Sequence, residues 1–112
     1  MKKTLVVDNN LVMLQLMKNL LEKEGDEVLT AEDGLSVLEI LKAYIPYVIF
    51  VDLIMPNISG DKLCKIIRKI PELKDIYIVI ISAAAAEQVV NLAELGANTC
   101  MDEIGDVRSE RS

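Results

Sequence analysis

Residues 47–52 read YVIFVD and residues 76–82 read IYIVIIS. Each is an unbroken apolar run with no alternation of polar positions, and each ends on one oxygen-bearing side chain, Asp52 or Ser82. A strand apolar on both faces has to be covered on both. That is the condition of a parallel sheet wrapped by helices, not of an antiparallel sheet with one wet face. Working outward, residues 4–7 (TLVV), 27–30 (EVLT) and, more weakly, 98–101 (NTCM) read as further strands. The segments between them have helical periodicity and helical punctuation. Asn10 caps a helix over 11–23 with Gly25 beyond it, Asp33 precedes a helix over 34–43, Ser59 or Gly60 opens one over 61–70, and Gly96 follows one over 84–95. Five strands joined by four helices in right-handed βα units predict a doubly wound α/β domain with a five-stranded parallel sheet.

The 112 residues make one domain, 1–112, long enough to bury roughly two thirds of the surface its unfolded chain exposes. With 52% hydrophobic and 27% charged residues, neither disorder nor a disulfide scaffold is expected. No apolar run approaches the roughly 20 residues of a membrane span, and Asp8 and Asn9 interrupt the only segment that could begin a signal-peptide core. A cytoplasmic location follows as the expectation. Cys64 and Cys100 read as free thiols, with Cys64 at core spacing beside Leu63, Ile67 and Ile70. The chain has no histidine, which excludes a histidine triad, a histidine zinc site and a phosphohistidine of its own. A net charge of −6 with three arginines leaves no basic stripe for nucleic acid.

In a doubly wound sheet the chemistry sits beyond the carboxyl ends of the strands, where strand order reverses. Those ends carry Asp8 and Asn9, then Asp52, then Ser82, then Asp102 and Glu103. Carboxylates and a hydroxyl converging without imidazole or thiolate suit a hard cation such as Mg²⁺, and a Mg²⁺-bound carboxylate can accept a phosphoryl group. Structural readings stand beside the functional ones. Asp8, Asn9 and Asn10 could serve as an Asx-turn and helix cap, Asp52 as an ordinary strand-end carboxylate, and Ser82 as the cap of the fourth helix. Met13 and Met17 read first as packing, whereas Leu11, Leu14 and Leu21 give the first helix more apolar surface than one clean face needs.

Val6-Val7-Asp8, the segment DLIMPNISG over residues 52–60, Ile80-Ile81-Ser82-Ala83 and Gly96-Ala97, in this order and spacing, resemble a response-regulator receiver domain over about residues 2–101. The resemblance implies a flavodoxin-like strand order 2-1-3-4-5 and a phosphorelay role signalling by protein contact rather than enzymatic turnover. It implies Asp52 as acceptor of a phosphoryl group from the phosphohistidine of a histidine kinase or phosphotransfer protein, and Mg²⁺ held by Asp8, Asn9, Asp52 and the main-chain carbonyl of Ile54. It further implies Ser82 as the hydroxyl that senses the phosphoryl group, and the first helix as the surface that docks the phosphodonor. Pro56 and Gly60 shape the loop on either reading. A hydrolase passing through an aspartyl-phosphate would need a second aspartate two residues after Asp52, where Ile54 stands.

The departures from that family pattern are specific. Asn9 replaces the second strand-one acid and brings an oxygen without a charge. No lysine follows Lys74, and alignment from Gly96-Ala97 puts Glu103 and Ile104 where the family has lysine and proline. Cys100 stands where the family often has an aromatic switch residue. The remaining residues 104–112 are mostly polar and cannot form an amphipathic fifth helix. These losses begin within about three residues of each other, as one truncation or frame-shift would produce; a naturally degenerate receiver is the rival. The expected module is therefore a stand-alone receiver with no output domain, acting on a downstream protein target. The alternative is a pseudo-receiver, a phosphorylation-independent interaction domain. Without a fifth helix, apolar atoms of strands one, three and five should be bare, which predicts a homodimer burying that sheet face or the fifth-strand edge.

Overall fold

The computed structural model describes residues 2–55, 57–81, 96–101 and 107–109, the last three and Met101 by their backbone alone. In chain order the elements are β1 (Lys3–Val7), α1 (Leu11–Lys23), β2 (Glu27–Ala31), α2 (Gly34–Leu41), β3 (Val48–Asp52), α3 (Gly60–Lys69), β4 (Tyr77–Ile81), β5 (Thr99–Met101) and β6 (Val107–Ser109). The sheet order is β2-β1-β3-β4-β5-β6, and the first five strands are parallel, as expected. The helix expected over 84–95 lies outside the described residues.

The apolar runs that decided the fold divide by residue parity. Leu5 and Val7 of β1, Ile49 and Val51 of β3, and Ile78 and Ile80 of β4 pack with Val37 and Leu41 of α2 and Leu63, Cys64 and Ile67 of α3. Val6 of β1, Ile81 of β4 and half-buried Phe50 of β3 face the other way and pack with Leu14 and Met17 of α1. Every second residue thus enters a different core, and both cores need an apolar strand. Cys64 is part of the first core, where burial pushes its thiol up to about 12. It stays protonated at neutral pH, in line with its reading as packing.

Helix ends follow local chemistry. Asn10, in extended conformation, accepts from the N–H groups of Val12 (2.9 Å) and Met13 (3.2 Å). Asp33 accepts from Ser36 N–H at 2.8 Å, and that bond holds its carboxyl below the usual range. At the opposite pole from the strand ends, Arg68 of α3 donates to the carbonyls of Gly96, Lys74 and Ile76 and to Asn98 Oδ1, at 2.6 to 2.8 Å. Gly96 has φ +84°, and a Cβ there would lie 2.9 Å from Arg68 Cγ.

Three expectations are corrected. The tail, expected only to lack a helix, contributes a strand: residues 107–109 lie antiparallel to β5, with Thr99 opposite Ser109 and Met101 opposite Val107. Only five residues separate β5 from β6, too few for a crossover, so the returning chain can pair only antiparallel, and backbone pairing tolerates polar side chains. Second, the sheet face expected to be bare is covered where apolar side chains on it are described, on β1, β3 and β4. Val6, Val79 and Ile81 are buried and Phe50 is half-buried, while the fifth-strand edge is taken by β6. Among the described residues, neither ground for the predicted homodimer is found. Third, Leu14 is buried and Leu21 half-buried against the second core, so of the three leucines named as surplus only Leu11 is exposed. The apolar excess of α1 lies instead on Val12, Leu16 and Leu20. Among the described residues no helix is long and apolar enough to cross a membrane.

Candidate functional site

Strand order reverses between β1 and β3, which leave the centre of the sheet in adjacent positions with Val7 opposite Val51. The next residue on each strand is an aspartate. Asp8 and Asp52 therefore stand side by side at neighbouring strand ends, where backbones run about 4.8 Å apart. Asp8 is 5% exposed, its N–H donating to Ala31 O at 3.1 Å and its Oδ1 accepting from Asn10 N–H at 2.8 Å. The structural reading of residues 8–10 is thus realised, through Asn10 as cap and Asp8 as the turn acceptor. A carboxylate has two oxygens and about four lone-pair positions, so one N–H does not exhaust it as a ligand. Asn9 is exposed beside it.

Asp52 ends β3 half-buried, opposite Ile81 of β4, and its Oδ1 accepts from Ile54 N–H at 3.2 Å. That bond turns the chain sharply after the strand and leaves Ile54 71% exposed at the rim. Ser82 follows Ile81 in sequence, directly beyond the register partner of Asp52, but Ser82 itself lies outside the described residues, as do Pro56, Asp102 and Glu103. The sequence-named residues Asp8, Asn9, Asp52 and Ile54 are thus brought to one end of the sheet.

Gly60 positions the loop that follows Asp52. Its N–H donates to Leu53 O at 2.9 Å, and a Cβ on it would come within 2.8 Å of Leu53 Cα. The first turn of α3 therefore rests directly on the backbone that follows Asp52, which only glycine permits. We expect Gly60→Ala to push the loop outward and destabilise the fold by about 1–3 kcal/mol, read as a lower urea midpoint with unchanged slope. An unaltered midpoint would mean that the helix shifts freely. Asn57, at φ +69°, adds a left-handed residue to the same loop. Sequence reasoning credited Pro56 and Gly60 with loop shape and did not single out Asn57, whose signal was an asparagine directly after proline.

The donor set fits a hard divalent cation. Asp8, Asp52, the Asn9 amide and the Ile54 carbonyl offer only oxygen, and two adjacent carboxylates repel unless a cation lies between them. Among the described residues no group of three or more His, Cys, Asp or Glu converges, so these residues form no all-carboxylate cage. One or two carboxylates completed by carbonyls and water is how Mg²⁺ is ordinarily held.

Comparison with known proteins agrees. Residues 4–102 match the response regulator receiver domain family, and the chain belongs to it. It is 37% identical over 98 residues to the chemotaxis protein CheY-3 of Vibrio cholerae, covering 86% of this chain and 75% of that one. It is 34% identical over 103 residues to the transcriptional regulatory protein CpxR homolog of Haemophilus influenzae, covering 90% of this chain but 43% of the relative. It thus spans less than half the length of that regulator. A response regulator of Chloroflexus aurantiacus superposes with a TM-score of 0.86 at 26% identity, over 93% of this chain and 86% of that one. The Mn²⁺-bound form of response regulator Rcp1 superposes with a TM-score of 0.78 at 25% identity, over 89% of this chain and 78% of that one.

Proposed function

We propose that this receiver domain is a working phosphoacceptor: Asp52 takes a phosphoryl group from a histidine kinase or phosphotransfer protein, and the modified domain signals by contact with a downstream protein in the cytoplasm. The observation that carries this reading is the placement of Asp8 and Asp52 on adjacent parallel strand ends at the reversal of strand order. An oxygen of Asp52 attacks the phosphorus of the phosphohistidine. An O–P bond forms as the N–P bond breaks, and the released imidazole takes up a proton. Ile54 N–H holds Oδ1 and with it the plane of the carboxylate during attack.

Asp8, Asn9, Asp52 and the Ile54 carbonyl would hold Mg²⁺, and the existence of a Mn²⁺-bound form of the structurally similar regulator Rcp1 supports divalent-cation binding by this fold. When bound, the cation offsets the negative charge of carboxylates and incoming phosphoryl oxygens. Ser82, next in sequence after the strand partner of Asp52, supplies the sensing hydroxyl. Asn9 in place of an acid weakens the metal site without removing it. Incubation with acetyl phosphate and Mg²⁺ should add one phosphoryl mass to the intact protein, and beryllofluoride with Mg²⁺ should bind as its mimic. A chain unmodified by both would be an interaction domain that works without phosphorylation.

Glu103 opposes the reaction. Where the family lysine would attract the phosphoryl group by about 4 kcal/mol at 4 Å and an effective dielectric of 20, a glutamate at that place reverses the sign. Glu103→Lys is therefore expected to raise the phosphorylated fraction at fixed donor concentration, read by intact mass. An unchanged fraction would place Glu103 away from the site.

A further inference from the structure

The loop that follows Asp52 is held from three sides. Leu53 N–H donates to Ile81 O of β4 at 3.1 Å, Gly60 of α3 lies against the Leu53 backbone, and Ile58 rests on Gly34, the first residue of α2. Gly34 is buried, and Ile58 is half-buried against the core that α2 and α3 share. A Cβ on Gly34 would lie 2.8 Å from Ile58 Cβ and 3.3 Å from both Ile58 Cγ2 and Ile58 O. Ile58 Cβ is fixed to the backbone, so no change of rotamer relieves that overlap and the loop itself would have to move.

Gly34 is also tied to the other carboxylate of the site. Asp8 N–H donates to Ala31 O at 3.1 Å, and Ala31 ends β2 three residues before Gly34. Between them Asp33 fixes the start of α2 by accepting from Ser36 N–H. One route of contacts therefore runs from Asp8 through the β2–α2 turn to Gly34, across to Ile58, and back along the chain to Ile54 and Asp52. Ile54 is exposed, so its own side chain does not anchor the turn that carries its carbonyl.

We propose that Gly34 is a positioning residue of the acceptor site: by letting Ile58 close onto α2, it holds the loop after Asp52, and with it the Ile54 carbonyl, in place beside Asp8. Gly34 touches neither the cation nor the phosphoryl group. It acts through Ile58, as residues behind the ligands of a metal do when they set where those ligands stand. The role toward Mg²⁺ rests on the reading of Asp52 as acceptor; the packing of Ile58 on Gly34 does not.

In Gly34→Ala the Mg²⁺ dissociation constant, read by calorimetric titration of the folded full chain with MgCl₂, should rise about tenfold. The urea midpoint should fall, although alanine is the better helix former and on propensity alone would raise it. In an Ile58→Gly background the overlap is gone. Adding Gly34→Ala there should leave the midpoint in place and the dissociation constant within about twofold, a non-additivity that an unconnected loss of stability does not produce. Equal effects of Gly34→Ala in both backgrounds overturn the route through Ile58. Should Gly34→Ala not fold, the double variant should regain the wild-type circular dichroism spectrum, and a double variant that stays unfolded overturns the contact. A folded Gly34→Ala that keeps the wild-type affinity for Mg²⁺ overturns the positioning role alone. Absence of Mg²⁺ binding in the wild type overturns the metal-assisted acceptor reading and the role of Gly34 with it, while the urea midpoints still report the packing.

Discussion

Replacing Asp52 with asparagine is expected to abolish phosphoryl incorporation and most of the stabilisation that Mg²⁺ confers. The substitution is nearly isosteric, and the amide oxygen can still accept from Ile54 N–H, so the loop after β3 keeps its path. What is lost is the anionic nucleophile and half of the carboxylate charge offered to the cation by the Asp8 and Asp52 pair. A ligand that binds only the folded chain adds about 2.7 kcal/mol of stability at a hundred times its dissociation constant. Under such Mg²⁺ concentrations the wild-type melting temperature should rise by several degrees, and that of Asp52→Asn should hardly move. The two readouts separate roles. A variant that loses labelling but keeps the Mg²⁺ shift would leave Asp52 as acceptor only, with the metal held mainly by Asp8. Retained labelling would show that another residue accepts the phosphoryl group.

The features legible in the sequence are those fixed by periodicity and strand ends. The runs at 47–52 and 76–81 could be read as buried parallel strands because alternate residues enter two separate cores, so neither face tolerates a polar residue. Asp8 and Asp52 could be placed together because each stands at the carboxyl end of an apolar strand run, and adjacent parallel strands end together. The phase of α1 was harder. Residues 11, 12, 13, 14, 16, 17, 20 and 21 are all apolar, so more than one face could have gone inward. Packing on Val6 and Val28 of the sheet selects Leu14 and Met17, which leaves Val12, Leu16 and Leu20 outside. The sixth strand left no side-chain signal, because an antiparallel edge pairing is made by backbone groups that every sequence has. Gly60 was legible as a turn glycine but not as the contact beneath Leu53, since that contact depends on where α3 meets the sheet.

Arg68 was invisible for the same reason, and its loss should be costly although it lies at the far end of the sheet from Asp52. As one of three arginines it registers in the sequence only as part of a shortage of positive charge. In the fold its guanidinium joins α3 to the segment before β4 and to the entry of β5, through Gly96 O, Lys74 O, Ile76 O and Asn98 Oδ1. Asn98 Oδ1 in turn accepts from Ile78 N–H at 2.8 Å, so the clamp reaches the β4 backbone. Hydrogen bonds to a charged donor contribute about 1.5–3 kcal/mol each, and four made by one group fall short of their sum because water reaches some of the abandoned carbonyls. Arg68→Ala is therefore expected to cost about 3 kcal/mol, a large part of the stability of a domain this size, and to lower the melting temperature by about 10–20 °C. Arg68→Lys should recover less than half of that loss, because an ammonium presents its protons from one point whereas the guanidinium fork reaches four acceptors in different directions. Below the variant's melting temperature the response to Mg²⁺ should be unchanged, since the clamp lies at the far end of the sheet from Asp8 and Asp52. Urea titration of both variants decides: a cost under about 0.5 kcal/mol for Arg68→Ala would mean that the four contacts are replaced by water without loss.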